Sequence, residues 1–194
     1  MNFKNVTVAG SGVLGYQIAF QTAFHGFKVS VYDINDDVLA KAKAKFFELS
    51  ECYKHDLNAT QEQLDNTFNN LSYCSNLAEA VKDADLVIEA VPEDVGIKTE
   101  FYKQLSQVAP EKTVFATNTS TMLPSQFKDL TGRQKNLWFY TLPIKSGSIT
   151  WQKLWDMLKR IKKCSIIWLS LPKPLVCWLY QFIKNNLVTF STQC

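Results

Sequence analysis

Residues 6–15 read Val-Thr-Val-Ala-Gly-Ser-Gly-Val-Leu-Gly, a short apolar run followed at once by the pattern G-x-G-x-x-G. A strand that leads directly into this pattern and then into a helix is typical of the βαβ unit that binds dinucleotides. Gly10 permits the tight turn, Gly12 lets the backbone approach a pyrophosphate, and Gly15 lets the helix pack closely on the strand. Unpaired amides of the first helical turn would face the pyrophosphate. The predicted pyrophosphate-binding residues are therefore Gly10, Ser11, Gly12, Val13, Leu14 and Gly15.

The residues after the glycine pattern support this interpretation. Apolar residues continue at helical spacing: Ile18, Ala19, Ala23 and Phe24. Gly26 ends this helix, and residues 28–32 form a second predicted strand. Asp33 follows that strand at about the 20-residue offset expected for the acid that binds the adenosine ribose hydroxyls. Because Ile34 and Asn35 come next, with no arginine to receive a 2′-phosphate, we expect NAD rather than NADP. The competing interpretation is a glycine-rich turn followed by an unrelated surface aspartate.

Helical and strand patterns continue to alternate up to residue 117. The predicted elements are helices at 36–55, 60–69, 76–81 and 97–109 and strands at 71–74, 85–91 and 113–117. Phe101, Leu105 and Val108 lie on one face of the last helix. The alternation predicts an α/β fold, a Rossmann-type doubly wound parallel sheet that binds its ligand at the carboxyl ends of the strands.

The first of these helices, with Asn35 or Asp36 as its N-cap, is rich in lysine. Together with the helix after it, it forms a long insertion that we expect to project beside the cofactor cleft. Two interpretations of its lysines are open: contacts to a phosphate-bearing substrate, or an ordinary solvated helix face. The lysines concerned are Lys41, Lys43, Lys45 and Lys54.

Composition divides the chain near residue 137. Residues 1–137 contain 13 Lys or Arg and 17 Asp or Glu, whereas residues 138–194 contain 8 basic residues and a single acid, Asp156. The second part also holds all five tryptophans: Trp138, Trp151, Trp155, Trp168 and Trp178. We therefore expect a dinucleotide-binding domain over 1–137, with an extension to about residue 144 left open, and a basic, Trp-rich tail over 138–194.

Several features bear on compartment and partners. The five cysteines are odd in number and lack C-x-x-C spacing, which indicates reduced thiols rather than disulfides or a metal site. No secretory signal pattern precedes the first strand, so a cytoplasmic location is expected. The apolar part of the tail is interrupted at residues 172–174 and is shorter than the roughly 20 residues that a membrane-spanning helix needs. Neither a membrane nor a nucleic acid is an expected partner.

Three motifs together resemble the 3-hydroxyacyl-CoA dehydrogenase family, especially its 3-hydroxybutyryl-CoA type. They are the glycine pattern with Asp33, the stretch Asp-Leu-Val-Ile-Glu-Ala-Val-Pro-Glu at 85–93, and Ala-Thr-Asn-Thr-Ser-Thr at 116–121. The resemblance covers residues 3 to about 137. It implies that Glu93 and Lys98 lie near the nicotinamide ribose, while Asn118 borders both the cofactor and the reacting carbon of the substrate. By the same resemblance Ser120 holds the hydroxyl or carbonyl oxygen. The alternative role for Asn118 and Ser120 is to cap a following helix.

The resemblance also implies an activity. Family members oxidise (S)-3-hydroxyacyl-CoA to 3-oxoacyl-CoA in fatty acid and butanoate metabolism, with NAD⁺ as the hydride acceptor. They are homodimers held together by an all-helical C-terminal domain. Asn118 and Ser120 have the short polar side chains needed to orient the substrate oxygen, but neither can act as the base that takes its proton.

The family's catalytic base and its partner are absent from this chain. The histidine of the family corresponds to Thr141 here, and the glutamate that orients it corresponds to Lys153. The two histidines present, His25 and His55, belong to other elements. The resemblance therefore predicts a chain that retains NAD binding and has little or no dehydrogenase activity.

A shift of reading frame accounts for the tail. Most residues of 138–194 can be encoded by more than one codon. If the inferred codons are read one base upstream, an allowed choice of codons encodes a sequence that resembles the missing part of the family. Its histidine falls at Tyr140/Thr141 and its glutamate at Gln152/Lys153, the spacing found in the family. We therefore expect this non-native tail to pack poorly in place of the family's helical domain, so that the chain lacks the dimer-forming part.

Two other functions remain open from the sequence. One is a natural, non-catalytic NAD-binding protein whose basic aromatic tail docks a partner. The other is a different Rossmann dehydrogenase, for example one that acts on 3-hydroxyacids without CoA. The genomic bases around codon 137 distinguish a frameshift from an intact short gene.

Overall fold

The computed structural model describes residues 3–117, 127, 130–131 and 137–139. Its elements are β1 Asn5–Ala9, α1 Gly15–Phe24, β2 Lys28–Tyr32, α2 Asp36–Leu57, α3 Gln61–Asn69, β3 Leu71–Cys74, α4 Leu77–Val81, β4 Leu86–Glu89, α5 Val95–Val108, β5 Val114–Thr117 and β6 Leu137–Phe139. The predicted order of helices and strands up to residue 117 is confirmed. Strand β4 is shorter than predicted and ends at Glu89.

The strands form one parallel sheet in the order β3-β2-β1-β4-β5-β6. The chain builds outward from β1 to β3 and then returns to the other side of β1 with β4. Val8 accordingly pairs with Val31 on one side and Ile88 on the other. This reversal is the topological switch point of a doubly wound sheet, so the predicted Rossmann-type fold is confirmed. Ligands of such sheets bind outside the carboxyl ends of β1 and β4.

Short polar side chains set the starts of the helices in the insertion. The Asn35 side chain accepts a hydrogen bond from the Val38 amide (2.9 Å), which identifies Asn35 rather than Asp36 as the N-cap of α2. Helix α3 begins with a capping box in which the Thr60 hydroxyl accepts from the Gln63 amide (3.2 Å) and the Gln63 side chain accepts from the Thr60 amide (2.8 Å). These caps satisfy amides that the first helical turn leaves unpaired.

Helix α5 buries two of the three apolar residues that the sequence places on one of its faces. Phe101 and Leu105 are buried, but Val108 is 38 % exposed. Lys98 and Tyr102 complete the buried face. These four residues follow the i, i+3, i+4, i+7 spacing of a single helix face, whereas Val108 lies in the last turn of the helix.

The sheet continues across the change in composition. Strand β6 pairs with β5 in parallel, with Ala116 opposite Trp138 and Thr117 opposite Phe139. It thus includes two residues beyond 137, within the extension to about residue 144 that the sequence left open. The predicted poor packing of the tail concerns residues outside those that the structure describes.

Candidate functional site

The glycine loop joins β1 to α1 and is held by contacts with its own surroundings. Gly10 has φ +98°, and a Cβ there would lie 2.5 Å from the Ala90 carbonyl oxygen in the turn after β4. A Cβ on Gly15 would lie 1.7 Å from the Gly10 oxygen. Both glycines are therefore required by backbone packing at the switch point, because any side chain would push the loop away from β4 or from itself.

Gly12 differs, because a Cβ at this position would meet no atom within 4 Å among the described residues. The amides of Gly12, Val13 and Leu14 donate to no acceptor in the described part of the chain, and the N-cap residue Leu14 makes no side-chain capping bond. The first turn of α1 thus presents free N–H donors and the positive end of its dipole to an open surface. Such an arrangement fits the pyrophosphate of a dinucleotide.

Asp33 lies beside this loop at the end of β2. Its Oδ2 accepts hydrogen bonds from the Ser11 amide (2.7 Å) and the Ser11 hydroxyl (2.6 Å), and its Oδ1 accepts from the Ile34 amide (2.8 Å). Ser11 is buried, whereas Val13 and Ile34 are 68 % and 74 % exposed on either side. The structure therefore brings the predicted ribose-binding acid and the predicted pyrophosphate loop together.

Lys98 of α5 forms an ion pair with Glu93, which lies in the segment between β4 and α5. The Lys98 ammonium lies 2.8 Å from the Glu93 carboxylate, and the Lys98 side chain is 1 % exposed while that of Glu93 is 35 % exposed. Helix α5 positions this pair, since Asp94 caps it by accepting from the Ile97 amide (2.9 Å). The two residues that the resemblance assigned to the nicotinamide ribose are thus in direct contact.

Glu89 is a site residue that the sequence interpretation missed. Its buried carboxylate is 2.9 and 3.0 Å from the Lys98 ammonium and accepts hydrogen bonds from the Val91 amide (3.0 Å), the Tyr102 hydroxyl (3.2 Å) and the Thr117 hydroxyl. Burial and the neighbouring Glu89 carboxylate raise the pKa of Tyr102 well above its ordinary value. A signal was present in the sequence, because an acid that ends an apolar strand must find partners in the interior.

Asn118 and Ser120, the predicted substrate-orienting residues, lie outside the described part of the structure. Asn118 directly follows Thr117, the last residue of β5, whose hydroxyl is hydrogen-bonded to Glu89. The absence of the family's base at Thr141 and of its partner at Lys153 is a statement of sequence alone.

The lysines of α2 make contacts within the protein. The Lys43 ammonium lies 4.6 Å from the ring centre of Tyr73, and that of Lys45 lies 5.4 Å from the ring centre of Tyr16. Lys54 pairs with Glu51 at 2.8 Å. Lys41, Lys43 and Lys45 are exposed. These contacts favour the interpretation as a solvated helix face.

Three further observations concern the described residues only. None of their helices combines the length and the apolar character needed to span a membrane. They contain no group of three or more His, Cys, Asp or Glu side chains that could hold a metal ion. Cys52 and Cys74 are free thiols.

The comparisons with known proteins agree with one another. Residues 5–141 match the model of the "3-hydroxyacyl-CoA dehydrogenase, NAD binding domain". The mitochondrial hydroxyacyl-coenzyme A dehydrogenase of Homo sapiens is 34 % identical over 136 residues, which are 68 % of this chain and 43 % of that protein. The probable 3-hydroxybutyryl-CoA dehydrogenase of Bacillus subtilis is 33 % identical over 140 residues, 71 % of this chain and 47 % of the relative. The chain thus spans less than half the length of these relatives.

Solved structures show the same relationship. A diketoreductase that acts on dicarbonyl compounds superposes with a TM-score of 0.75 at 40 % identity, over 83 % of this chain and 62 % of that one. The 3-hydroxybutyryl-CoA dehydrogenase of Escherichia coli gives a TM-score of 0.69 at 28 % identity, over 73 % of this chain and 30 % of that one. The chain belongs to the 3-hydroxyacyl-CoA dehydrogenase family, and the cofactor of its domain is NAD.

Proposed function

We propose that this chain is the NAD-binding half of an enzyme that oxidises (S)-3-hydroxyacyl-CoA to 3-oxoacyl-CoA. The observation that carries the proposal is the arrangement at the switch point, where the open amides of α1, the carboxylate of Asp33 and the Lys98–Glu93 pair border one edge of the sheet. The family match over residues 5–141 supports the reaction class.

Each of these groups of residues binds a different part of the cofactor. The amides of Gly12, Val13 and Leu14 bind the pyrophosphate, and Asp33 accepts hydrogen bonds from the adenosine ribose diol. Glu93 and Lys98 orient the nicotinamide ribose. The bound cofactor supplies the hydride acceptor. Asn118 and Ser120 orient the oxygen of the acyl-CoA substrate, and metal ions have no part in this proposal.

The same proposal assigns little or no turnover to the present chain. Proton removal from the substrate hydroxyl needs a positioned base, and removing one typically costs about 10²–10⁴ in rate. At the family position of this base stands Thr141, whose hydroxyl is not a base at neutral pH. We propose that a frameshift near codon 137 replaced the helical domain, and with it the base, its glutamate partner and the homodimer interface of the parent enzyme.

The experiment compares this chain with a frame-restored protein. Both are assayed for NADH-dependent reduction of acetoacetyl-CoA, and the nucleotides of codons 130–194 are sequenced. We expect turnover from the restored protein alone and a base insertion or deletion near codon 137. Comparable turnover by the two proteins would overturn the catalytic assignment. An intact short gene in related genomes would favour the non-catalytic NAD-binding protein whose tail docks a partner.

A second candidate is a dehydrogenase that acts on substrates without CoA. The diketoreductase that acts on dicarbonyl compounds is 40 % identical to this chain, a higher value than for the 3-hydroxybutyryl-CoA dehydrogenase of Escherichia coli. The frame-restored protein separates the two candidates when acetoacetyl-CoA and a dicarbonyl ester without CoA are offered at equal concentration. A higher kcat/KM for the ester would select the CoA-independent reaction.

A further inference from the structure

Glu89 is a buried acid paired with Lys98, which the proposed function places, together with Glu93, at the nicotinamide ribose. It is the last residue of β4 and is 1 % exposed. Its carboxylate lies against four potential donors: the Lys98 ammonium, the Val91 amide, and the hydroxyls of Tyr102 and Thr117. An ion pair and hydrogen bonds of this kind are what a buried carboxylate requires.

Lys98 is thereby shared between two carboxylates. Its ammonium lies 2.9 Å from Glu89 inside the core and 2.8 Å from Glu93 toward the surface. The ammonium carries one positive charge, and Glu89 and Glu93 share it. Because Glu89 draws on Lys98 from within the protein, Glu93 keeps more of its negative charge at the cleft than it would in a simple Lys98–Glu93 pair.

The electrostatic consequence depends on the redox state of the cofactor. The oxidised nicotinamide ring carries a positive charge and the reduced ring carries none. A negative field from the Glu89–Lys98–Glu93 cluster therefore stabilises NAD⁺ relative to NADH. The effect reaches the ring through the protein interior, where charges are screened less than at the surface.

We propose that Glu89 is a positioning and charge-setting residue that biases this domain toward the oxidised cofactor. It acts through Lys98 and Glu93 and does not itself touch the cofactor. The inference rests on the proposed placement of the nicotinamide ribose beside these two residues. It adds a preference between the two redox forms that the placement alone does not require.

The test is the ratio of the dissociation constants of NAD⁺ and NADH, measured on the full chain. NADH binding is followed by its fluorescence, and NAD⁺ by competition against bound NADH. Glu89→Gln keeps the shape of the side chain and removes its charge. We expect the ratio Kd(NAD⁺)/Kd(NADH) to rise about three- to tenfold, from one unit charge acting through a partly screened interior. Kd for NADH itself should change less than twofold.

Asp85→Asn is the matched control. Asp85 stands just before the opposite end of β4, roughly 13 Å from Glu89 at the rise of an extended strand. It also pairs with a lysine, Lys112, at 2.6 Å. Asp85→Asn removes one negative charge at the start of the same strand, and Kd(NAD⁺)/Kd(NADH) should stay at the parent value. Glu93→Gln, on the 35 % exposed side chain, serves if Glu89→Gln does not fold, and it should shift the ratio in the same direction.

The outcomes separate the two proposals. If both cofactor forms bind and the folded Glu89→Gln or Glu93→Gln variant keeps the parent ratio, the redox bias is wrong and NAD binding stands. If neither form binds the parent chain, cofactor binding by this chain and the redox bias fail together. An equal shift in Asp85→Asn would also overturn the inference, because it would show a general effect of charge.

Discussion

Asp33 receives the amide and the hydroxyl of Ser11 on one carboxylate oxygen, at 2.7 and 2.6 Å. At the scale of single residues, this contact orients the acid and ties it to the glycine loop. A carboxylate held in place loses little freedom when it accepts the ribose hydroxyls. In the proposed function the same carboxylate repels a 2′-phosphate, so that both the affinity for NAD and the preference for NAD over NADP depend on it.

Changing Asp33→Ala should weaken NADH binding at least tenfold, because hydrogen bonds to a charged acceptor contribute about 1.5–3 kcal/mol each. The affinity for NADPH should not fall, so the preference for NADH disappears. Fluorescence titration with both cofactors measures this. Asp37→Ala, an exposed acid in the first turn of α2, is the control and should leave both affinities unchanged. If Asp33→Ala still preferred NADH over NADPH, the assignment of Asp33 to the adenosine ribose would be wrong.

Changing Ser11→Ala should have a smaller effect, about threefold on Kd for NADH. The variant loses the hydroxyl bond to Asp33 and keeps the backbone amide bond. The net contribution of one such bond is about 1 kcal/mol. A loss larger than that of Asp33→Ala would mean that Ser11 contacts the cofactor directly rather than through Asp33.

At the scale of elements, α5 connects the core to the candidate site. Its buried face packs Phe101 and Leu105 into the cluster with Phe115 and Phe127, and the same face delivers Lys98 to Glu89. Packing of the helix and placement of the lysine are therefore parts of one arrangement. A change in the packing of α5 should affect both stability and cofactor binding.

Leu105→Ala and Val108→Ala form a matched pair on this helix. Leu105 is fully buried, so its truncation leaves a cavity and should lower the free energy of unfolding by about 2–5 kcal/mol. Val108 is 38 % exposed, and its truncation should cost less than about 1 kcal/mol. Urea denaturation of both variants tests the buried face assigned to α5. Equal losses of unfolding free energy in the two variants would contradict the burial of Leu105 and the exposure of Val108.

Asp85 anchors the other end of β4 and makes the sheet sensitive to acid. Burial alone would raise the pKa of Asp85, but hydrogen bonds from Lys112 and from the amides of Asn5 and Lys4 outweigh it and hold the pKa below its ordinary value. A carboxyl whose pKa is lowered by folding stabilises the protein above its unfolded pKa, and this stability is lost as pH falls through the folded value.

Asp85→Asn should therefore lower the urea midpoint at pH 7. The midpoints of variant and parent should approach each other as the pH falls below about 3.9, the ordinary pKa of an unfolded Asp, toward the lower pKa of Asp85 in the folded protein. Urea titrations at pH 7, 4 and 3 provide the comparison. If the two midpoints differ by the same amount at every pH, Asp85 does not contribute to the acid sensitivity.

At the scale of the whole molecule, the matched relatives are more than twice as long as the part they share with this chain. In the proposed function, the cofactor half is present and the base and second wall of the substrate site are not. Hydride transfer needs the two reacting carbons held in near-attack geometry, so one restored side chain cannot replace a domain.

Changing Thr141→His alone should not produce measurable reduction of acetoacetyl-CoA by NADH. Lys153 would still stand where the family has the glutamate that orients the histidine. The frame-restored protein is the positive control in the same assay. Turnover by Thr141→His within tenfold of that control would show that the missing domain is not required.

The sequence by itself determined the class of fold, the cofactor and the position of the glycine loop. These depend on local patterns: an apolar run, glycines at fixed spacing, and an acid at the end of the second strand. Such patterns act through backbone sterics and strand periodicity, which neighbouring residues largely define. Local polar side chains likewise limit the predicted N-cap of α2 to Asn35 or Asp36.

Only the tertiary structure decided which partners the site residues have. Glu89 contacts Lys98 nine positions away because α5 packs on the sheet, and it contacts Thr117 twenty-eight positions away because β4 pairs with β5. The partial exposure of Val108, on a helix whose apolar residues Phe101 and Leu105 are buried, is likewise seen only in the structure. A buried charge is stable only with partners, and distant elements supply them, so its pairing is a property of packing rather than of any local motif.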